Sequence, residues 1–468
     1  MLKRIIPALA ALLVACVGNT ECRLDDPHSC SSGLVCEQVS GEDVPQCFAP
    51  VQVEGKVFDL LSGQPVAGAE VTALDINGTA VTGVAVSGLD GHYTLPIPTE
   101  RSDSEGTPVG TRVTLRAAAR NYRPFPSGVR ISLPLDTTGA TSAGSEQPWV
   151  LASAQTDVGL SAGLSAERFW LNVSGTVELP TGKPALVVIE GNGRVYSAVT
   201  DASGTFRVFN VTPGSGYTVQ AYVKGANYTQ VDLQVPSSGM DVSSVSLRRA
   251  GDASAVLNGS VQWVAGANSA GTSVVMMVES TFHDALVRGE VPPGLRAPDP
   301  GQAPTVTGAF SISGVPDGKY VVLAAFDNDG NVRDPDPSIS GTQIVHLTVA
   351  NGIPSLSPSF KVTGAIEITS PGPGEATDQV TFPPKFRWKP YPSASSYEVR
   401  LFDSQGSEVW ENLAVAADAQ NGSGFVQASY TGKALIRGLT YQWRATAKDT
   451  SGNPISSTED LRGLFIVQ

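Results

Sequence analysis

Beyond residue 50 the apolar residues recur at every second position in short runs, and the runs are separated by clusters of Gly, Pro, Asn and Asp. Val51, Val53, Gly55 and Val57 alternate with Gln52, Glu54 and Lys56. The same alternation returns over Glu70 to Leu74 and over Tyr93 to Ile97, with Asp90-Gly91 supplying a turn signal before the latter. A period of two places one side-chain set on one face of a pleated strand, so these runs predict half-buried β-strands. The helical period nearly disappears over the same region. The pattern predicts an all-β chain of sandwiches or barrels and does not choose between the two.

The order of elements also repeats. A first copy reads Gly55-Lys56-Val57, then Pro65 to Val71, then Asp90-Gly91-His92-Tyr93-Thr94-Leu95. A second reads Gly175-Thr176-Val177, Pro184 to Val188, Asp201 to Phe206, and Pro213-Gly214-Ser215-Gly216-Tyr217. A third reads Gly259-Ser260-Val261, Ser273-Val274-Val275, Gly308-Ala309-Phe310, and Val315 to Val322. Glycine before an aromatic makes a tight turn into a strand whose aromatic side chain enters the core. These residues resemble the carboxypeptidase regulatory-like family, and the resemblance implies seven-stranded Greek-key sandwiches related in shape to transthyretin. The copies span residues 51–165, 166–250 and 251–352, the last carrying Glu279 to Thr305 as a long inserted loop. The final region, residues 353–468, has another texture: Phe386-Arg387-Trp388, Ala394 to Leu401, and Leu435-x-x-Gly438-x-x-Tyr441-x-Trp443. It resembles the fibronectin type III fold, which implies a further sandwich with a tyrosine corner at Tyr441.

The N-terminus departs from the β pattern. Lys3 and Arg4 precede an apolar run from Ile5 to Val14 that is too short to span a bilayer, and Ala15 is the small residue before a cut. Leu13-Val14-Ala15-Cys16 resembles the lipobox of bacterial lipoproteins. The resemblance implies a signal peptide over residues 1–15, Cys16 as the lipidated mature N-terminus, and, because Val17 rather than Asp follows, sorting to the outer membrane. Each buried methylene contributes about 0.8 kcal/mol and stable anchoring needs about two acyl chains, so a multiply acylated Cys16 holds without a transmembrane helix.

Length and composition adjust this picture in four ways. A length of 468 residues predicts roughly three to five domains. With 41% hydrophobic and 16% charged residues the chain has enough apolar side chains for packed cores. A net charge of -13 argues against nucleic acid or anionic lipid as partners, since both need a basic face. All five cysteines lie within the first 47 residues, and setting Cys16 aside leaves Cys22, Cys30, Cys36 and Cys47 in a module over residues 16–50. In an oxidising compartment four cysteines form two disulfides in a segment too short for its own core, with three pairings open. The spacing Cys-x7-Cys-x5-Cys-x10-Cys resembles small cysteine-rich modules, which implies Cys22 with Cys36 and Cys30 with Cys47. A four-thiolate zinc site is the competing reading, and the Cys-x2-Cys pairs that hold tetrahedral zinc are missing.

Candidate chemistry is sparse. Gly159-Leu160-Ser161-Ala162-Gly163 matches the Gly-x-Ser-x-Gly elbow of α/β-hydrolases, with Asp201, Asp284, His283 and His346 as conceivable partners. An elbow needs a parallel sheet flanked by helices, so the bland alternative, a Gly-rich end of the first sandwich, is preferred. The four histidines, His28, His92, His283 and His346, lie outside any His-x-x-Glu or His-Glu-x-x-His spacing, which leaves zinc hydrolysis without ligands. Asp327, Asp329, Asp334 and Asp336 form an acidic loop with weak calcium character, since its glycine and closing acid miss the EF-hand positions. Asn-x-Ser/Thr triplets at Asn77, Asn172, Asn210, Asn227, Asn258 and Asn421 are what a Thr-rich β chain generates, and Asp136 to Gln147 has the composition of a loop or linker. Trp149, Trp170, Trp263 and Trp410 are the aromatics a carbohydrate site would use. The resulting expectation is a non-catalytic, cofactor-free, lipid-anchored protein of the bacterial cell envelope, structural or binding, with an envelope protein or polysaccharide as partner. A calcium-stiffened adhesion stalk and a Ser161 hydrolase are the alternatives.

Overall fold

The computed structural model describes residues 21–24, 29–31, 33–75, 80–126, 135–142, 147–163, 170–180, 184–264, 271–284, 287–299, 302, 304–324, 329–374, 378–403, 406–417, 424–460 and 462–468. The signal segment 1–15, Cys16, Val17, His28, Asn77, Asp327, Asn328 and Asn421 lie outside them. Among the described residues the structure is all β, with two single-turn 3-10 helices and no α-helix. Among the described residues no helix is long and apolar enough to cross a membrane.

Three successive sandwiches share one strand plan. In the first, Val51–Asp59 pairs antiparallel with His92–Ile97 and parallel with Trp149–Ala152 and Val158–Leu160, while Glu70–Asp75 lies between Ala85–Val86 and Arg112–Ala118 in the opposing sheet. In the second, Leu171–Val177 takes the central place between Thr205–Val211 and Val242–Leu247, facing a sheet ordered Arg194–Val199, Leu186–Gly191, Gly214–Tyr222, Val231–Val235. In the third, Ala255–Trp263 lies between Ala309–Val315 and Ser359–Gly364, facing Arg296–Ala297, Val274–Val278, Gly318–Ala324 and Val345–Ala350. The aromatics that follow the turn glycines, Tyr93, Phe206 and Phe310, are buried in the three cores.

The repeated glycine of each first strand has a packing cause. A Cβ at Gly55 would sit 2.1 Å from the Thr156 carbonyl oxygen, one at Gly175 would sit 2.0 Å from that of Val245, and one at Gly259 would sit 2.5 Å from that of Pro358. In every copy the chain that closes the sheet passes over the first strand at this glycine. In the first sandwich the Tyr93 hydroxyl fixes the crossing by donating to the Thr156 carbonyl at 2.6 Å.

One boundary and one internal segment differ from the sequence reading. Ser359–Gly364 pairs with Ser260–Trp263, and its Phe360 and Val362 sit in the third core, so the third sandwich extends past residue 352 to Gly364. Asp136 to Gln147 contains no free linker among its described residues. Leu135–Asp136 and Thr141–Ser142 are strands of the first sandwich, and the Asp136 carboxylate caps the turn between them by accepting from Thr138 N–H. Linker composition was outweighed there by edge pairing and a local cap.

The last sandwich packs Ile368–Ser370, Lys385–Trp388 and Val426–Ser429 against a sheet built on Ser396–Asp403, Glu408–Ala416, Thr440–Lys448 and Leu464–Val467. Trp388 and Trp443 are fully buried against each other, Phe386 packs against Trp443 and Phe465, and Trp443 Nε1 donates to the Pro371 carbonyl. The Tyr441 hydroxyl accepts the Ile436 N–H at 2.9 Å, pinning the chain five residues upstream.

The sandwiches also pack on one another. Strand Leu186–Gly191 is buried on both faces: Val187 and Ile189 point into the second core, Leu186 and Val188 into the third, where Tyr222 meets Tyr320 edge-on at 6.1 Å. Between the first and second, the Asn210 amide donates to the carbonyls of Ala119 and Tyr122 and its oxygen accepts from Asn121 N–H. Asn210 and its buried neighbour Asn172 are thus joint residues. Glu70 lies at the same joint, 3.7 Å from Arg207, with Arg116 and Asp201 also facing it.

Two predictions follow from this packing. Gly175→Ala is expected to lower stability by about 1–3 kcal/mol or more, because the backbone carbonyl it meets cannot move without breaking the parallel pairing. Gly308→Ala, where a Cβ meets nothing within 4 Å, is the tolerated control, and equal denaturation midpoints for the two variants would refute the packing account. Burial, opposed by Arg207 and Arg116 and aided by Asp201, pushes the Glu70 carboxyl up from its ordinary 4.5 to about 7. The folded chain therefore keeps a proton that the unfolded chain releases, so stability falls as pH rises from about 4.5 to about 7, by about 3 kcal/mol at most. Glu70→Gln should make the fall of the melting temperature across that window shallower by Glu70's share, the rest coming from other carboxyls that burial also raises, Glu37 and Asp334 among them.

Candidate functional site

The most organised polar site joins the cysteine module to the first sandwich. Val35–Glu37 and Gln46–Phe48 form a small antiparallel pair with Cys36 opposite Cys47, and the disulfides are Cys22–Cys36 and Cys30–Cys47. They close loops of 14 and 17 residues in sequence separation, which in the chain-entropy account restrict the unfolded module by about 3 kcal/mol each. The sulfurs of Cys22, Cys30 and Cys47 gather within 4.8 Å of one another because the two bridges lie side by side. With every one of these sulfurs in a disulfide, no thiolate is left for zinc.

Arg101 seats this module. Its side chain is fully buried: Nε donates to Glu37 Oε2 at 2.5 Å, and the two terminal nitrogens donate to the carbonyls of Gly106 at 2.6 Å and Ala49 at 2.9 Å. The guanidinium also lies over the Phe48 ring at 5.1 Å. Glu37 Oε1 accepts from Thr99 N–H, while Arg101 and the Gln38–Ser40 backbone exchange two further hydrogen bonds. Burial raises the Glu37 carboxyl against the pull of the Arg101 charge. A buried pair of this kind is sustained by geometry and full hydrogen bonding, and losing one partner leaves an uncompensated charge. Sequence reading missed Arg101 because one arginine in a polar loop carries no pattern.

Among the described residues, the sequence-predicted chemical residues do not converge. Ser161 follows the strand Val158–Leu160, its carbonyl accepts from Arg123 N–H, and Gly163 N–H donates to the Asn121 carbonyl. No helix follows it among the described residues, and no hydrogen bond joins it to a histidine or carboxylate there. Asp201 caps a turn of the second sandwich by accepting from Ser203 and Thr205 N–H. His283 and Asp284 belong to a turn of the third sandwich closed by Arg288 and Val287, and His346 pairs with Glu279 at 2.8 Å. His92 is an exposed strand residue.

The acidic loop is used locally. Asp329 accepts from Asn331 N–H, Asp334 from Asp336 N–H and Asp336 from Ser338 N–H, each within 3.0 Å. Burial raises the Asp334 carboxyl. Asp327 is outside the described residues, and among those described the loop carboxylates do not gather into a group of three ligand oxygens. The four tryptophans are half-buried. Trp149, Trp263 and Trp410 pack against the first, third and fourth cores, and Trp170 is covered by the Arg194 guanidinium at 5.1 Å. Beside Arg194 an open surface cleft is lined by Glu190, Gly193, Gly216 and Thr218.

No family profile matches the chain, and no curated protein matches it. Solved structures similar to it include the TIE protein of Bacillus anthracis, at 11% identity over 94% of this chain and 74% of that one, with a TM-score of 0.16. The major pilin subunit of Bacillus cereus is similar at 10% identity over 67% of this chain and 99% of that one, with a TM-score of 0.17. A DUF3823 family protein from Bacteroides ovatus is similar at 12% identity over 46% of this chain and 100% of that one, with a TM-score of 0.19. At these scores the likeness says nothing about what this chain binds.

Proposed function

We propose that the chain is a non-catalytic protein of the bacterial cell envelope, anchored through acylated Cys16 and serving as a structural or protein-binding module. The observation that carries this reading is the seat of the cysteine module. A segment stapled by two disulfides, next in the chain to the lipobox-like Cys16, is locked to the first sandwich by the buried Arg101–Glu37 pair. Disulfides persist in the oxidising compartments that lipidated envelope proteins reach. A tether attached to such a base positions the sandwiches relative to the membrane. The absence of Asp after Cys16 supports outer-membrane sorting. A protein partner is preferred over polysaccharide because the four candidate tryptophans are engaged in packing rather than presented as open platforms. The regulatory-like and fibronectin-like resemblances of the sandwiches agree with spacer and recognition roles.

Cys16→Ser should abolish incorporation of radiolabelled palmitate in cells, and label entering that variant would end the anchor assignment. Broad esterase and peptidase screens on the full chain should show no turnover. An activity that is present in the wild type and lost in Ser161→Ala would replace the structural reading with a hydrolase.

A further inference from the structure

We propose that residues 288–299 of the third sandwich are an interdomain clasp, which ties the first, second and fourth sandwiches to the third and makes the four behave as one rigid body. Four side chains of this short segment reach three different sandwiches. Arg288 pairs with Asp460 of the fourth. Glu290 accepts from Arg116 of the first at 3.1 Å and from the Ser197 hydroxyl of the second at 2.7 Å. Arg296 donates to Asp75 of the first at 2.7 Å, and Asp299 accepts from Lys224 of the second at 2.6 Å. Lys224 N–H also donates to the Pro293 carbonyl.

The segment is rooted as firmly as it reaches. Val291 and Leu295 are buried in two apolar clusters of the third sandwich, Arg296–Ala297 pairs as an edge strand with Val274 and Val275, and the carbonyls of Glu290 and Leu295 accept from Val278 and Met276 N–H. Apolar residues thus point inward and charged residues point at neighbours. The charges differ in weight. Arg296 and Asp75 are 3% and 11% exposed, and Arg288 and Asp460 are 8% and 19% exposed, whereas Asp299 is 61% exposed. Solvent screens the last pair, so Arg296–Asp75 and Arg288–Asp460 carry the coupling. Arg296 has little alternative use for its charge, since Nε and the second terminal nitrogen are spent on the carbonyls of Pro298 and Gln302. The first and third sandwiches, which are not consecutive, are thereby held in contact.

Hydrogen exchange on the full chain tests this at one pH. Asp75→Asn, a near-isosteric change, should accelerate exchange at least about tenfold both in 288–299 and across the joint in the facing strands Glu70–Asp75 and Arg112–Ala118, while Lys385–Trp388 of the fourth core stays unchanged. Faster exchange confined to the strand bearing the substitution, with 288–299 at the wild-type rate, would overturn the clasp. Should Asp75→Asn compromise folding, Asp460→Asn provides the second arm: 288–299 must again accelerate, and an unaltered segment there also overturns the proposal. Exchange is read independently of palmitate labelling, so the clasp and the anchor fail separately.

Discussion

In each of the three related sandwiches, a backbone carbonyl of the closing segment occupies the space where the first strand would carry a side chain. Thr156 over Gly55, Val245 over Gly175 and Pro358 over Gly259 are the same event, and the parallel pairing that completes each sheet depends on it. A Cβ at that point would separate the strands and open the core above Tyr93, Phe206 or Phe310. The close approach explains why glycine stands in the middle of a strand, where its lack of a side chain and its backbone entropy are otherwise unfavourable.

Closed sandwiches leave outer sheet faces, and this chain uses several of them as joints. The strand Leu186–Gly191 shows the principle: its first four residues alternate between the second and third cores, so both faces are apolar there. The neighbouring joints are more polar, with Asn210 bridging backbones and buried arginines meeting carboxylates. Apolar burial supplies adhesion between modules, and directional polar contacts set their mutual register, since a buried charge tolerates one partner geometry only. The same logic holds at the base, where Arg101 fastens the disulfide module.

How much could be read beforehand depended on whether the information was local. Val51 to Asp59 and Tyr93 to Ile97 were legible as strands because their side chains alternate against one core. Ser161 and the acidic loop were legible as motifs, yet their described residues serve local turns and edges, and His92, His283 and His346 lie in separate elements. The important polar residues had no signature. Glu37 and Arg101 are 64 positions apart, and Asp75 and Arg296 are 221 apart.

The sequence by itself determined the all-β class, the threefold recurrence of elements, the aromatic core positions and the presence of four cysteines for a stapled module, because alternation, turn chemistry and spacing act over a few residues. Its resemblance to small cysteine-rich modules also implied the pairing that the structure contains. Only the tertiary structure decided why the strand glycines are required, that Ser359–Gly364 belongs to the third sandwich, and which charges are buried together. Those outcomes depend on the approach of segments far apart in the chain, and desolvation of a charge exists only once that approach has been made.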